Sequence, residues 1–112
     1  MKTAIIINSE SLGKGDDELG KKLLGAFLRK LWASAKLPDI IICYNSGVKI
    51  MAKGSAVLDA LHGLSEKGVE IIACGTCLEH YDLGNNIEVG RKSDMNEIVS
   101  IMMSYDKVIT VW

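Results

Sequence analysis

Val69-Glu70-Ile71-Ile72-Ala73-Cys74-Gly75-Thr76-Cys77-Leu78-Glu79-His80 decides how the rest of the chain is read. A short apolar run, Val69 to Ala73, leads into two thiols spaced Cys-x-x-Cys. Glycines bound the run on both sides, so it reads as a buried β-strand. Gly75 and Thr76 read as the turn and N-cap of a helix that follows at once, a short one over Leu78 to Leu83. A cysteine at the C-terminal end of a central strand, facing a helix start, sits where open α/β sheets place their ligand sites. The stretch thus predicts a parallel sheet with a reactive thiol at its rim.

The flanking sequence repeats the same grammar. Thr3 to Asn8 and Asp39 to Tyr44 are further continuous apolar runs, Ile87 to Val89 is expected as a brief fourth strand, and Lys107 to Trp112 as a fifth. Between them, Asp16-Asp17-Glu18 opens a helix whose apolar face is Leu19, Leu23, Phe27 and Leu31 with Leu24 and Leu28 alongside, running to about Ser34. Gly54-Ser55 opens a second, with Val57, Leu58, Leu61 and Leu64, which Gly68 closes. Asp94 with Glu97 matches the reciprocal capping pattern ahead of Met95, Ile98, Val99 and Met102. Asn45-Ser46-Gly47 is turn chemistry, and Val48 to Lys53 is read as irregular or a short helical turn. Helix-containing crossovers require parallel pairing. The expected fold is a three-layer α/β/α sandwich on a parallel sheet of about five strands, one domain over residues 1–112.

Bulk properties exclude several function classes. The 112 residues are 48% hydrophobic and 24% charged, with a net charge of −1. Near-neutrality without a basic cluster argues against nucleic acid and against a membrane surface. No apolar run approaches a membrane span or a signal-peptide core, so a cytoplasmic setting is expected, with thiols kept reduced. Three cysteines cannot all pair; Cys43, inside an isoleucine run, reads as a small buried core residue.

Four readings of Cys74 and Cys77 stay open. They are apolar filler, zinc ligands with His80, a thioredoxin-type dithiol, or a nucleophilic, sulfur-carrying cysteine. Structural zinc draws a second ligand pair from elsewhere, and only Cys43 and His62 are on offer. The dithiol reading lacks a proline downstream of the motif, since Pro38 is the only one. The nucleophile reading needs the anion to be favoured. A free thiol titrates near 8.5, and lowering that by about two units takes about 2.7 kcal/mol. A helix N-terminus supplies about 0.3–1 kcal/mol when exposed and up to about 2 when partly buried. Hydrogen bonds must make up the difference. Backbone N–H groups after Cys74, the Thr76 hydroxyl and His80 are the candidates, with Asn45 and Ser46 at the same rim. The loop Ser9 to Gly15 matches neither phosphate-binding pattern, and its neighbouring carboxylates would repel a flavin phosphate.

The chain resembles the DsrE-like family of small sulfur-relay proteins, in particular the DsrE-like domain of the YedF type, associated with selenium metabolism. The resemblance runs almost end to end. It rests on Ser11-Leu12-Gly13-Lys14-Gly15-Asp16 with Leu19-Gly20, on Asn45-Ser46-Gly47-Val48, on Gly54-Ser55, and on Val89-Gly90 with Asn96. Its most specific piece is Ala73-Cys74-Gly75-Thr76-Cys77-Leu78. It implies a DsrE-like fold and assembly into a homo-trimer or hexamer. It also implies a cysteine persulfide at the end of the third strand, which matches Cys74, with Cys77 as an extra thiol that assists or resolves. No cofactor and no metal are expected. The expected partners are persulfide donor and acceptor proteins or small sulfur or selenium species. An oligomeric binding module without sulfur chemistry is the competing expectation.

Overall fold

Ala4, Ile5, Ile6 and Ile7 are all buried, alternate side chains facing opposite ways, as a strand covered on both faces requires. In the computed structural model, which describes residues 1–112, they form most of β1 (Thr3–Ile7). β2 (Ile40–Cys43), β3 (Glu70–Cys74), β4 (Arg91–Ser93) and β5 (Lys107–Val111) complete one sheet in the order β4-β3-β2-β1-β5. Every pairing is parallel. The helices are α1 (Asp17–Ala33), α2 (Leu58–Glu66), α3 (Gly75–His80) and α4 (Met95–Ser104).

Handedness assigns the layers. The chain steps from β1 through β2 and β3 to β4 in one direction, then returns across the sheet to place β5 beside β1. Right-handed crossovers therefore put α1 and α2 on one face and the returning α4 on the other. Burial follows this division. Ile5, Ile7 and Ile41 pack with Leu24 and Leu28 of α1 and Leu61 and Leu64 of α2. Ala4, Ile6, Ile42 and Ile72 pack with Ile98 and Ile101 of α4. The result is the expected three-layer α/β/α sandwich. The second face carries one short helix, and apolar side chains beside it stay exposed: Met95 (52%), Val99 and Met103 (82%) on α4, with Val108 and Trp112 (74%) at β5.

Helix ends follow the caps in the sequence. The Asp16 carboxylate accepts from the Leu19 N–H at 2.9 Å, and Asp94 accepts from the Glu97 N–H at 2.9 Å. Gly68 follows α2 at φ +94°, the left-handed turn that a helix stop favours.

Five local expectations are corrected. The fourth strand is Arg91–Ser93, not Ile87 to Val89. Ile87 instead makes an isolated antiparallel bridge to Ala52, the Glu88 N–H donates to the Met51 carbonyl at 2.8 Å, and Val89 is buried. Those apolar residues plug the sheet end, while the true strand is a polar edge tied by Arg91 to Glu70 and Glu97. Glu97 consequently does not turn back to cap α4. The short helical turn, one of the two readings of Val48 to Lys53, is present, but it starts earlier and takes in the expected Asn45-Ser46-Gly47 turn as one 3-10 helix, Asn45–Met51. The helix after Gly54-Ser55 starts only at Leu58, because the Ser55 Oγ accepts the Val57 N–H in a local turn. Finally, α3 begins at Gly75, with Cys74 itself in the N-cap position and no turn before it.

Candidate functional site

Cys74 is both the last residue of β3 and the residue before α3, with extended φ −61°, ψ 123°. Strand passes into helix without a loop, so the junction lies tight against β4. A Cβ on Gly75 would stand 2.8 Å from Lys92 Cε and 3.0 Å from the Ser93 carbonyl oxygen. Glycine suits this close approach, since a larger residue would displace the Lys92 side chain and crowd the Ser93 carbonyl. One turn of α3 then brings Cys77 back over Cys74, the i, i+3 relation of a helix face. The two thiols are close enough for each to affect the other's titration, and all three cysteines are free. Cys74 is 3% exposed and faces the α4 side among Ile72 and Ile98, whereas Cys77 is half-buried and touches both cores.

A neighbouring segment completes the thiol site. The Asn45 N–H donates to Cys77 Sγ at 3.0 Å. Asn45 can aim it there because its backbone is left-handed, φ +51°, a region asparagine tolerates better than most residues. Its side chain is held as well: the Tyr81 hydroxyl donates to Asn45 Oδ1 at 3.0 Å. Tyr81 is in turn covered by Lys49, whose Nζ lies 4.6 Å from the ring centroid and 3.5 Å from Glu10 Oε1. The Glu10 N–H donates to Ser46 Oγ at 3.1 Å. Gly47 seats the 3-10 helix on β1, since a Cβ there would meet the Ile7 carbonyl oxygen at 2.2 Å.

The electrostatics of Cys77 are balanced between opposing causes. Burial pushes its thiol up from the ordinary value, the Asn45 N–H works against that, and the hydrogen bond to Cys74 and the charge of Cys74 add to the rise. Burial thus outweighs the Asn45 N–H at Cys77, and that N–H is the contact that favours its anion. Cys43, wholly buried, is pushed up to about 12 by desolvation and stays out of any thiol chemistry near neutral pH.

Of the residues anticipated from the sequence, Cys74, Gly75, Cys77 and Asn45 come together, and Ser46 supports the Glu10 loop beside them. Thr76 and His80 do not join. Both are exposed, and the His80 ring stands edge-on to Tyr81 with centroids 5.0 Å apart. No side-chain capping bond forms at Cys74, and the backbone donor that the 3-10 helix supplies goes to Cys77 instead. Tyr81, Lys49 and Glu10 were not anticipated. Tyr81 had a signal, standing four residues after Cys77 on the same helical face. No three His, Cys, Asp or Glu side chains gather in a group that could hold a metal ion. The Ser9 to Gly15 loop spends its groups on α1: Ser11 Oγ donates to the Asp17 carbonyl and the Leu12 N–H to that of Gly20.

Solved structures share this fold. The ychN protein from E. coli superposes with a TM-score of 0.67 at 17% identity, over 98% of this chain and 99% of that one. The MTH1491 protein of unknown function from Methanobacterium thermoautotrophicum gives 0.71 at 21% identity, over 97% of each chain. The conserved protein of unknown function BT1422 from Bacteroides thetaiotaomicron gives 0.66 at 15%, over 97% of this chain and 94% of that one. At these identities the likeness is one of fold. No family model matches the chain, and no curated protein matches it. No helix is long and apolar enough to cross a membrane.

Proposed function

We propose that the protein handles sulfur or selenium through Cys74 and Cys77, in the manner of DsrE-like persulfide carriers. The observation that carries this reading is the pair of neighbouring free thiols at the end of β3, with the Asn45 N–H on one sulfur. In the step this suits, a protein thiolate attacks the outer sulfur of a donor persulfide. The donor S–S bond breaks, the donor thiolate leaves, and a protein persulfide forms with no net oxidation. Exposure favours Cys77 as the thiol that meets the donor, because Cys74 is buried beneath it. Cys74 would then attack the inner sulfur of a Cys77 persulfide, giving the Cys74–Cys77 disulfide and hydrosulfide. This reverses the roles suggested by resemblance alone. A reducing, cytoplasmic setting suits thiols that must start free.

The test is intact-mass measurement after incubation with a sulfane-sulfur donor, on wild type, Cys74→Ala and Cys77→Ala. A reductant-labile sulfur retained by Cys74→Ala and absent from Cys77→Ala is expected. No sulfur on any form removes the reading, and sulfur only on Cys77→Ala restores Cys74 as the acceptor. The exposed stripe Met95, Val99 and Met103 with Trp112 favours a homo-oligomer, and the resemblance adds that it is a trimer or hexamer. An assembly without sulfur chemistry is the second reading. Met103→Glu should lower the sedimentation mass, and an unchanged mass removes this surface as the contact.

A further inference from the structure

On the α1 side of the same sheet edge lies a cavity of about 440 Å³ that shares Tyr81 with the thiol site. Its size falls in the range of small-molecule sites, about 300–1,000 Å³, far more than one inorganic anion fills. Its floor is apolar, with Ile50 and Val57 buried there. Its polar wall is unbalanced: Lys21, Lys49 and Lys53 face a single carboxylate, Glu10. Glu10 is already committed to Lys49, and Lys49 also rests on the Tyr81 ring. Lys21 and Lys53 have no ion-pair partner anywhere in the chain. Two free ammonium groups thus stand over an apolar floor.

From Tyr81 the path to sulfur is two hydrogen bonds long. The hydroxyl holds Asn45 Oδ1, and the Asn45 N–H holds Cys77 Sγ. We infer that this cavity binds a small organic anion with two carboxylates, of about tripeptide size, and that it receives low-molecular-mass acidic thiols as the sulfur-bearing partners of Cys77. The naming of the partner rests on the sulfur-handling reading above; the binding does not.

Binding is tested on Cys74→Ala/Cys77→Ala protein, which can form no persulfide, with reduced glutathione as the probe and amide chemical shifts as the readout. Saturable shifts centred on Ser55, Ala56, Tyr81 and Leu83 are expected. Lys21→Ala/Lys53→Ala should weaken binding about tenfold, the product of two partly exposed ion pairs each worth a few-fold. Glutathione ethyl ester, short of one carboxylate, should bind more weakly, and added salt should weaken the native pair. No saturable shift at millimolar probe, shifts centred elsewhere, or affinity indifferent to both lysines overturns the inference. The two proposals fail separately. Sulfur uptake by wild type from glutathione persulfide without binding to the cysteine-free protein removes the cavity assignment alone. Binding without uptake keeps the cavity and removes the sulfur chemistry.

Discussion

Removing one hydroxyl at Tyr81 should make Cys77 a slower nucleophile, although Tyr81 never touches it by hydrogen bond. The background is Cys74→Ala, which leaves one accessible thiol and fills a buried apolar site without stranding a hydroxyl there. Tyr81→Phe keeps the ring beneath Lys49 and deletes only the bond to Asn45 Oδ1. That bond is worth about 0.5–1.5 kcal/mol. It is similar to the cost of holding a non-glycine residue left-handed, about 1–2 kcal/mol and less for asparagine. Without it only the N–H bond to Cys77 Sγ opposes relaxation of Asn45 from φ +51°, and that N–H shifts off the sulfur. A hydrogen bond to an anion is worth about 1.5–3 kcal/mol when desolvated, and about half that at a half-buried sulfur. The loss raises the Cys77 pKa by about one unit, at about 1.36 kcal/mol per unit.

Below that pKa the thiolate fraction falls about tenfold, but a more basic thiolate is more nucleophilic, with a Brønsted slope of about 0.4–0.5. The net result is alkylation about three- to fourfold slower at neutral pH. Iodoacetamide rates across a pH series measure it, with a midpoint moved up by about one unit. An unmoved or lowered midpoint, with the fold intact by circular dichroism, refutes the chain of reasoning from Tyr81 to sulfur.

Other outcomes follow from the same geometry. Arg91, then Ser93, hold the Glu97 carboxyl down at about 2, against an ordinary 4.5. A carboxyl held low in the fold stabilises it above its ordinary pKa and stops doing so as pH falls toward 2. The group is more than a third exposed, so screening leaves about 1 kcal/mol or less. Glu97→Gln should lose that amount at pH 7 and flatten the acid decline between about pH 5 and 2 in urea melts. Gly47→Ala drives a Cβ against the Ile7 carbonyl and should cost about 1–3 kcal/mol, seen as a lower urea midpoint at constant slope. Cys43, held at about 12 by burial, should resist alkylation in native protein at pH 8 and react fully in urea.

The sheet was legible because its three inner strands are built on apolar runs buried on both faces, a pattern that a doubly covered strand requires. β4 was not, because an edge strand needs no apolar face; Ile87 and Val89 look like a strand and serve as a plug. The cysteine junction was legible in place and misread in detail. Cys74 occupies the cap position of α3 where a separate turn was expected, helix following strand directly. The donor to Cys77 could not be read from spacing, because it arrives from Asn45, 32 residues away in sequence, through a left-handed backbone. Tyr81 was one helical turn from Cys77 and could have been paired with it.

The return of α4 across the sheet also sets an order of assembly. Ala4 pairs with Ile40 on one side and with Val108 on the other. Closing the longer of these two loops costs only about 1 kcal/mol more, because closure entropy grows with the logarithm of length. Equilibrium stability scarcely registers the difference, but a chain growing on the ribosome does. Its first strand, four buried residues of pure hydrocarbon, stays open along one edge until β5 has emerged. An open apolar edge recruits strands from other chains. The period between making β1 and making β5 is therefore when a newly synthesised copy most needs protection from aggregation.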